Sequence, residues 1–185
     1  MKSAARNTLA YTGNVTLSQY VGSKKVVVGK VHNSGGKPLF DFFISCLTGD
    51  FTTANALLPR RIGLFTAKYN TDGSLSEITK KFGTWGLLLP ARKVDSTEDN
   101  SSVCYSFTIP FEIISPITSF EDAYVGLYSE AETSKEEDMD YGNYMAYFSL
   151  STLNRSLFLN AALAVDWELQ VINGKTEYEN VSSTK

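Results

Sequence analysis

The chain of 185 residues reads as mainly β: an antiparallel β-sandwich of about eight strands, with one short helix inserted after the second strand. Three observations predict this. Apolar and polar residues alternate along most segments, which places successive side chains on opposite faces of a strand. The 10 Tyr and 11 Phe favour pleated, half-buried surfaces. Turn residues punctuate the chain at short intervals, and strand-like runs do not alternate with helical ones, which argues against a parallel βαβ arrangement.

The elements follow in order. In YTGNVTLSQY, Val15, Leu17 and Gln19 share one side while Thr16, Ser18 and Tyr20 share the other. The short VGS connection then predicts a hairpin into KKVVVGKVH. There Val26, Val28 and Lys30 are expected on one face, with Val27, Gly29 and Val31 on the other. Asn33, Ser34, Gly35 and Gly36 stop that strand. Pro38 suits the first turn of a helix, where its missing N–H costs nothing. Leu39, Phe42, Phe43, Cys46 and Leu47 recur at helical spacing, and Phe40 and Ile44 widen the apolar surface. Gly49 stands where a C-terminal cap belongs. A helix this short is unstable alone. It is therefore expected to plug one end or one face of the sheets as internal packing, its stripe being too wide to leave in water.

Pro59 opens the next strand, read from about Arg60 to Ala67, and YNTDGS turns the chain. One or two shorter strands are expected between Ser74 and Pro90, with ARKVDSTEDNSS as an exposed loop. SVCYSFTIPFEII reads as one strand with Pro110 at a bulge or edge. AYVGLYS is a strand, SEAETSKEEDMDYG an acidic loop, and NYMAYFSLST a strand with Tyr144, Ala146, Phe148 and Leu150 on one face. The clearest strand comes last: Leu163, Val165, Trp167, Leu169 and Val171 face one way, Asp166, Glu168 and Gln170 the other. Residues 1–173 thus read as one domain and 174–185 as a polar tail.

Function classes narrow next. The formal net charge is −3, and basic residues occur only as small pairs such as Lys24-Lys25, Arg60-Arg61 and Lys80-Lys81, so no nucleic-acid partner is expected. No window approaches a membrane span, and MKSAARNTLAYTG lacks the apolar core of a signal peptide. Cys46 and Cys104 read as two buried free thiols. His32 is the lone histidine, placed at a strand end, and has no zinc spacing with the cysteines. No nucleophile elbow or phosphate-binding loop is present. These readings predict no catalytic residue, no metal and no cofactor. The acidic residues Glu130, Glu132, Glu136, Glu137, Asp138 and Asp140 are the candidate partner contact, docking electrostatically on a basic neighbour. They lack the spacing of a calcium loop. Exposed aromatics such as Trp85, Tyr69 or Tyr141 are the residues a glycan-binding sandwich would use.

One longer pattern remains. YTGNVTL (11–17) leads through a lysine-bearing strand into HNSGGKPLFDFFISCLTGDF (32–51) and then LPRRIGL (58–64). A strand pair running into His-Asn-x-Gly, then Leu-Phe and a short helix ending near Leu-x-Gly, then Pro-x-x-Ile, resembles small virion structural proteins of tailed bacteriophages, of the crAss-like phage type. The resemblance spans residues 11–64 and rests on structural residues. It implies a non-enzymatic subunit of a phage particle: an auxiliary capsid or head-fibre component, or a ring protein of the neck or tail. It further implies other virion proteins as partners, a symmetric oligomeric assembly, and a place in a virion built in the host cytoplasm.

Overall fold

The computed structural model describes residues 9–71, 74–86, 92–96, 100–129, 140–158 and 161–173. Ten strands lie among them: β1 (Leu9–Val21), β2 (Lys24–His32), β3 (Ser34–Gly35), β4 (Pro59–Tyr69), β5 (Leu75–Gly86), β6 (Arg92–Ser96), β7 (Asn100–Ile109), β8 (Ala123–Ser129), β9 (Ala146–Ser149) and β10 (Leu163–Asn173). They form two five-stranded sheets, ordered β2-β1-β10-β7-β6 and β3-β9-β8-β4-β5. Every pairing is antiparallel. Helix α1 (Lys37–Thr48) follows β3, α2 (Phe51–Ala56) follows α1, α3 (Phe111–Ile114) follows β7, and a 3-10 turn covers Arg155–Phe158. No helix among the described residues is long and apolar enough to cross a membrane.

Both sheets contribute to one core. Val15, Leu17, Val165 and Trp167 come from the first sheet, and Ile62, Leu64, Val125, Leu127 and Phe148 from the second. The alternation in β10 is realised as read: Leu163, Val165, Trp167 and Leu169 are buried, and Trp167 meets Phe148 edge to face at 4.8 Å. The polar side of β10 is tied to the hairpin beside it. Asp166 accepts from Lys25 at 2.6 Å and from the Ser106 hydroxyl at 2.8 Å. Strand β8 is buried along its whole length because both its faces are covered. Ala123, Val125 and Leu127 enter the shared core, while Tyr124 and Tyr128 join Phe65, Ala67 and Tyr141 in a second cluster on the opposite face.

The stretch around α1 behaves locally as its residues dictate. Asn33 donates from its backbone to the Gly13 carbonyl at 3.2 Å and from its side chain to the Tyr11 hydroxyl at 2.6 Å. A Cβ on Gly13 would sit 1.5 Å from the Asn33 side-chain oxygen, so only glycine leaves room there. That contact joins the two halves of the 11–51 pattern. Pro38 lies in the first turn of α1, as expected. Gly49 caps its C-terminus with φ 77°, and the following Asp50 N–H closes on the Ser45 carbonyl at 3.0 Å.

Several expectations are corrected. The strand predicted through Pro110 ends at Ile109, and Pro110 instead accepts from Ile113 and Ile114 to start α3. A proline cannot donate to the ladder but suits a helix start. The single predicted helix is therefore joined by α2, α3 and the 3-10 turn. Part of the predicted loop ARKVDSTEDNSS is strand β6, paired to β7 at the sheet edge. An edge strand has no need of an apolar face, so its polar composition hid it. In β2, a bulge opposite Leu17/Ser18 reverses the alternation, so Val28 and Val31 both pack on the core. Strand β9 begins only at Ala146, so Tyr144 leaves the predicted face and packs with the tyrosine cluster.

Candidate interaction surface

Helix α1 has two apolar faces with different surroundings. Leu39 on the inner side is 2% exposed, while Phe42 and Phe43 are half-buried. Phe43 lies 5.7 Å from Phe42 and 6.4 Å from Tyr11, ring centre to ring centre. These side chains reach the end of the core where the two sheets part. With Pro59 of β4, Val103 and Tyr105 of β7, and Leu169 and Val171 of β10, they line an apolar cleft of about 310 Å³. Burial pushes the Tyr11 and Tyr105 hydroxyls up to about 12; Tyr105 lines this cleft, and the Tyr11 hydroxyl accepts from the Asn33 amide. The helix is thus a plug, as its sequence suggests, but one that closes loosely.

The outer face contradicts the expectation of a wholly internal helix. Phe40 is 53% exposed, Ile44 59%, Leu47 72% and Phe51, the first residue of α2, 73%. Cys46, expected to be buried, is also exposed; Cys104 is buried as expected, and both are free. The physical reason is simple. The sheets cover one side of a helix that is apolar nearly all round, and no described residue covers the other. Charge borders this surface without entering it. Lys37 and Asp41 pair across one helical turn near the N-terminus, and Asp50 follows the C-cap. Between Phe42 and Gly49 the sequence carries no charged residue. The Asp50 carboxylate accepts hydrogen bonds from Thr53, which hold its carboxyl below the usual carboxylate range.

The residues singled out from sequence fare unevenly. Glu130, Glu132, Glu136, Glu137 and Asp138 lie outside the described residues, as do residues 1–8 and 174–185. Asp140 is exposed and serves a turn, its carboxylate accepting from the Gly142 N–H at 2.9 Å. Among the candidate glycan-binding aromatics, the Trp85 side chain lies outside the described residues, although its backbone pairs with Ile62. Tyr69 is 49% exposed and rests edge to face on Tyr124 at 5.5 Å. Tyr141 is not an exposed aromatic at all. It is buried between Phe65 and Tyr128, with Lys81 over its ring, because this stretch folds back over the second sheet. His32 is exposed at the end of β2. Among the described residues, no group of three or more metal-binding side chains is assembled.

A second, smaller apolar patch sits at the tip of the β1–β2 hairpin, where Tyr20, Val21, Val26 and Val27 are exposed around the Gly22-Ser23 turn. Lys24 and Lys25 interrupt it, and Lys25 is already paired with Asp166. The helical face is the longer and less charged of the two. Sequence pattern could have flagged it: a helix apolar all round needs cover on every side. No protein-family model, curated protein or solved structure matches the chain.

Proposed function

We propose that this chain is a non-enzymatic structural protein of a tailed-bacteriophage virion, an antiparallel β-sandwich that decorates the capsid head or anchors a head fibre. The observation that carries this reading is the exposed apolar face at Phe40, Ile44, Leu47 and Phe51. It falls within the very segment, 11–64, that resembles crAss-like virion proteins. An apolar patch of this kind on a protein surface marks a contact with another macromolecule. The segment's other shared residues are accounted for structurally: Asn33 ties β2 to β1 over Gly13, and Gly49 ends the helix. What remains unaccounted for within the fold is the outward face. The partners of this reading are other virion proteins in a symmetric assembly, and the place is the virion.

A neck or tail ring protein of the same particle is the alternative, and symmetry separates the two. Quantitative mass spectrometry of purified particles of the encoding phage gives the copy number. Hundreds of copies per particle fit an icosahedral head and about a dozen fit a ring. Absence from the particle defeats both and turns attention to the glycan-binding alternative, for which loss of glycan-array binding on Tyr69→Ala or Trp85→Ala is the test.

A further inference from the structure

We infer that the cleft between β4, β5 and the loop from Pro116 to Asp122 is a binding site for a neutral saccharide of one or two rings. Strands β4 and β5 bring Thr66, Thr79, Lys80 and Phe82 to it, and the loop brings Pro116, Ser119 and Asp122. The cleft encloses about 330 Å³, at the small end of the range for ligand sites. It shares no residue with the apolar cleft behind α1: Thr66 stands seven residues along β4 from Pro59. Both walls are fixed without a ligand. Strands β4 and β5 are hydrogen-bonded neighbours. Ile117 and Phe120, 2% and 3% exposed, root the loop in the core. The Arg155 guanidinium donates to the Ile117 carbonyl at 2.6 Å and to the Ser115 carbonyl at 3.3 Å, and lies over the Phe120 ring. The Ala67 N–H closes on the Asp122 carbonyl at 3.1 Å. Such preorganisation lowers the ordering cost of binding.

The polar groups select the class of ligand. Thr66 and Thr79 share one hydrogen bond between their hydroxyls at 2.7 Å, which leaves one hydroxyl hydrogen and further lone pairs between them. The Ser119 hydroxyl accepts from the Glu121 N–H at 3.2 Å, so its own hydrogen is left to donate. Asp122 is exposed, and among the described residues no cation pairs with it. Lys80 is exposed and bends over the Phe82 ring at 4.9 Å. Donors and acceptors thus stand side by side, with one positive and one negative group. An anion meets Asp122, and a cation meets Lys80, as a like charge. A small zwitterion answers the two charges but leaves the hydroxyls over, and an apolar ligand strands them all. A sugar matches every group. Its hydroxyls donate to Asp122, accept from Lys80 and exchange hydrogen bonds with the threonines and Ser119, while its C–H face lies on Phe82 and Pro116. This inference goes beyond the proposed function and does not rest on it, since a sugar can bind the chain in or out of a particle.

Amide chemical-shift titration of the isotope-labelled full chain with cellobiose, lactose and N,N′-diacetylchitobiose is the test. At least one of these sugars should shift the Thr66, Thr79, Lys80, Ser119 and Asp122 signals, with a Kd of about 1 mM. Asp122→Asn keeps the shape but removes the carboxylate, and should weaken binding about tenfold or more. Thr79→Val removes one hydroxyl and should weaken it about threefold to tenfold. Both residues are exposed, so the thermal melts of the variants should match the parent. Tyr69→Ala, in the outer tyrosine cluster, should leave the Kd unchanged, which separates this cleft from a surface aromatic site. No shift with any of these sugars up to about 50 mM, or binding indifferent to Asp122→Asn, overturns the site. Tighter binding of glycine or inorganic phosphate than of every sugar overturns the saccharide class.

Discussion

Strand β10 and helix α1 carry the two clearest apolar patterns in the chain, and the fold treats them differently. Leu163, Val165, Trp167 and Leu169 of β10 are buried in the core shared with the opposite sheet, while Asp166, Glu168 and Gln170 lie on the other face. In α1 only Leu39 and Ser45 are buried, and Phe40, Ile44 and Leu47 stand in water. Periodicity states which residues share a face. Whether that face is covered depends on how much cover the rest of the chain can offer. A sheet has a partner sheet of equal breadth to pack on. A lone helix laid across the end of two sheets has cover on one side only, so an all-round apolar helix has one face left for another molecule.

Substitutions along these two elements should form a graded series, and its upper end tests the strand. Trp167→Ala removes the largest fully buried side chain and its contact with Phe148, and should cost about 3–5 kcal/mol in chemical denaturation. Leu39→Ala, on the inner side of α1, should cost about 2–4 kcal/mol. Its neighbour is the apolar cleft, where side chains can relax into free space, so it should fall below the tryptophan. If Leu39→Ala matched Trp167→Ala, the loose closure of the plug would be wrong.

Much of this was legible in the residues. The β1–β2 hairpin, the inner face of β10, Pro38 at the start of α1 and Gly49 at its end all follow from local chemistry acting over a few residues. What escaped depends on distant parts of the chain. The β2 bulge is set by pairing with Leu17 and Ser18, and nothing in KKVVVGKVH marks Val28 as the extra residue. Strand β6 exists because β7 offers it a hydrogen-bonding edge. Tyr141 is buried because it packs edge to face on Phe65, a residue of β4 far away in sequence, and on Tyr128. The helix is legible in the sequence, but its cover is not: spacing alone puts Phe40 and Ile44 on a widened core stripe, and the two sheets are not placed to take them.

Phe43 sits between the two regimes. Its ring touches Tyr11 and Phe42 but is only half-buried, at the rim of the cleft. A core phenylalanine costs about 3–5 kcal/mol on truncation. Phe43→Ala should cost about 1–2 kcal/mol, because a partly exposed ring loses less transfer free energy. A loss as large as that of Trp167→Ala would place the ring in the core, as its helical spacing alone suggests, and would remove the gradient across α1.

The smallest effect is expected on the outer face. Leu47 is 72% exposed, so Leu47→Ser removes little buried contact within one chain. Its stability in chemical denaturation should match the parent within about 0.5 kcal/mol. If the variant were clearly destabilised, Leu47 would be packed against part of its own chain. The contrast between β10 and α1 would then vanish, because both elements would be covered from within.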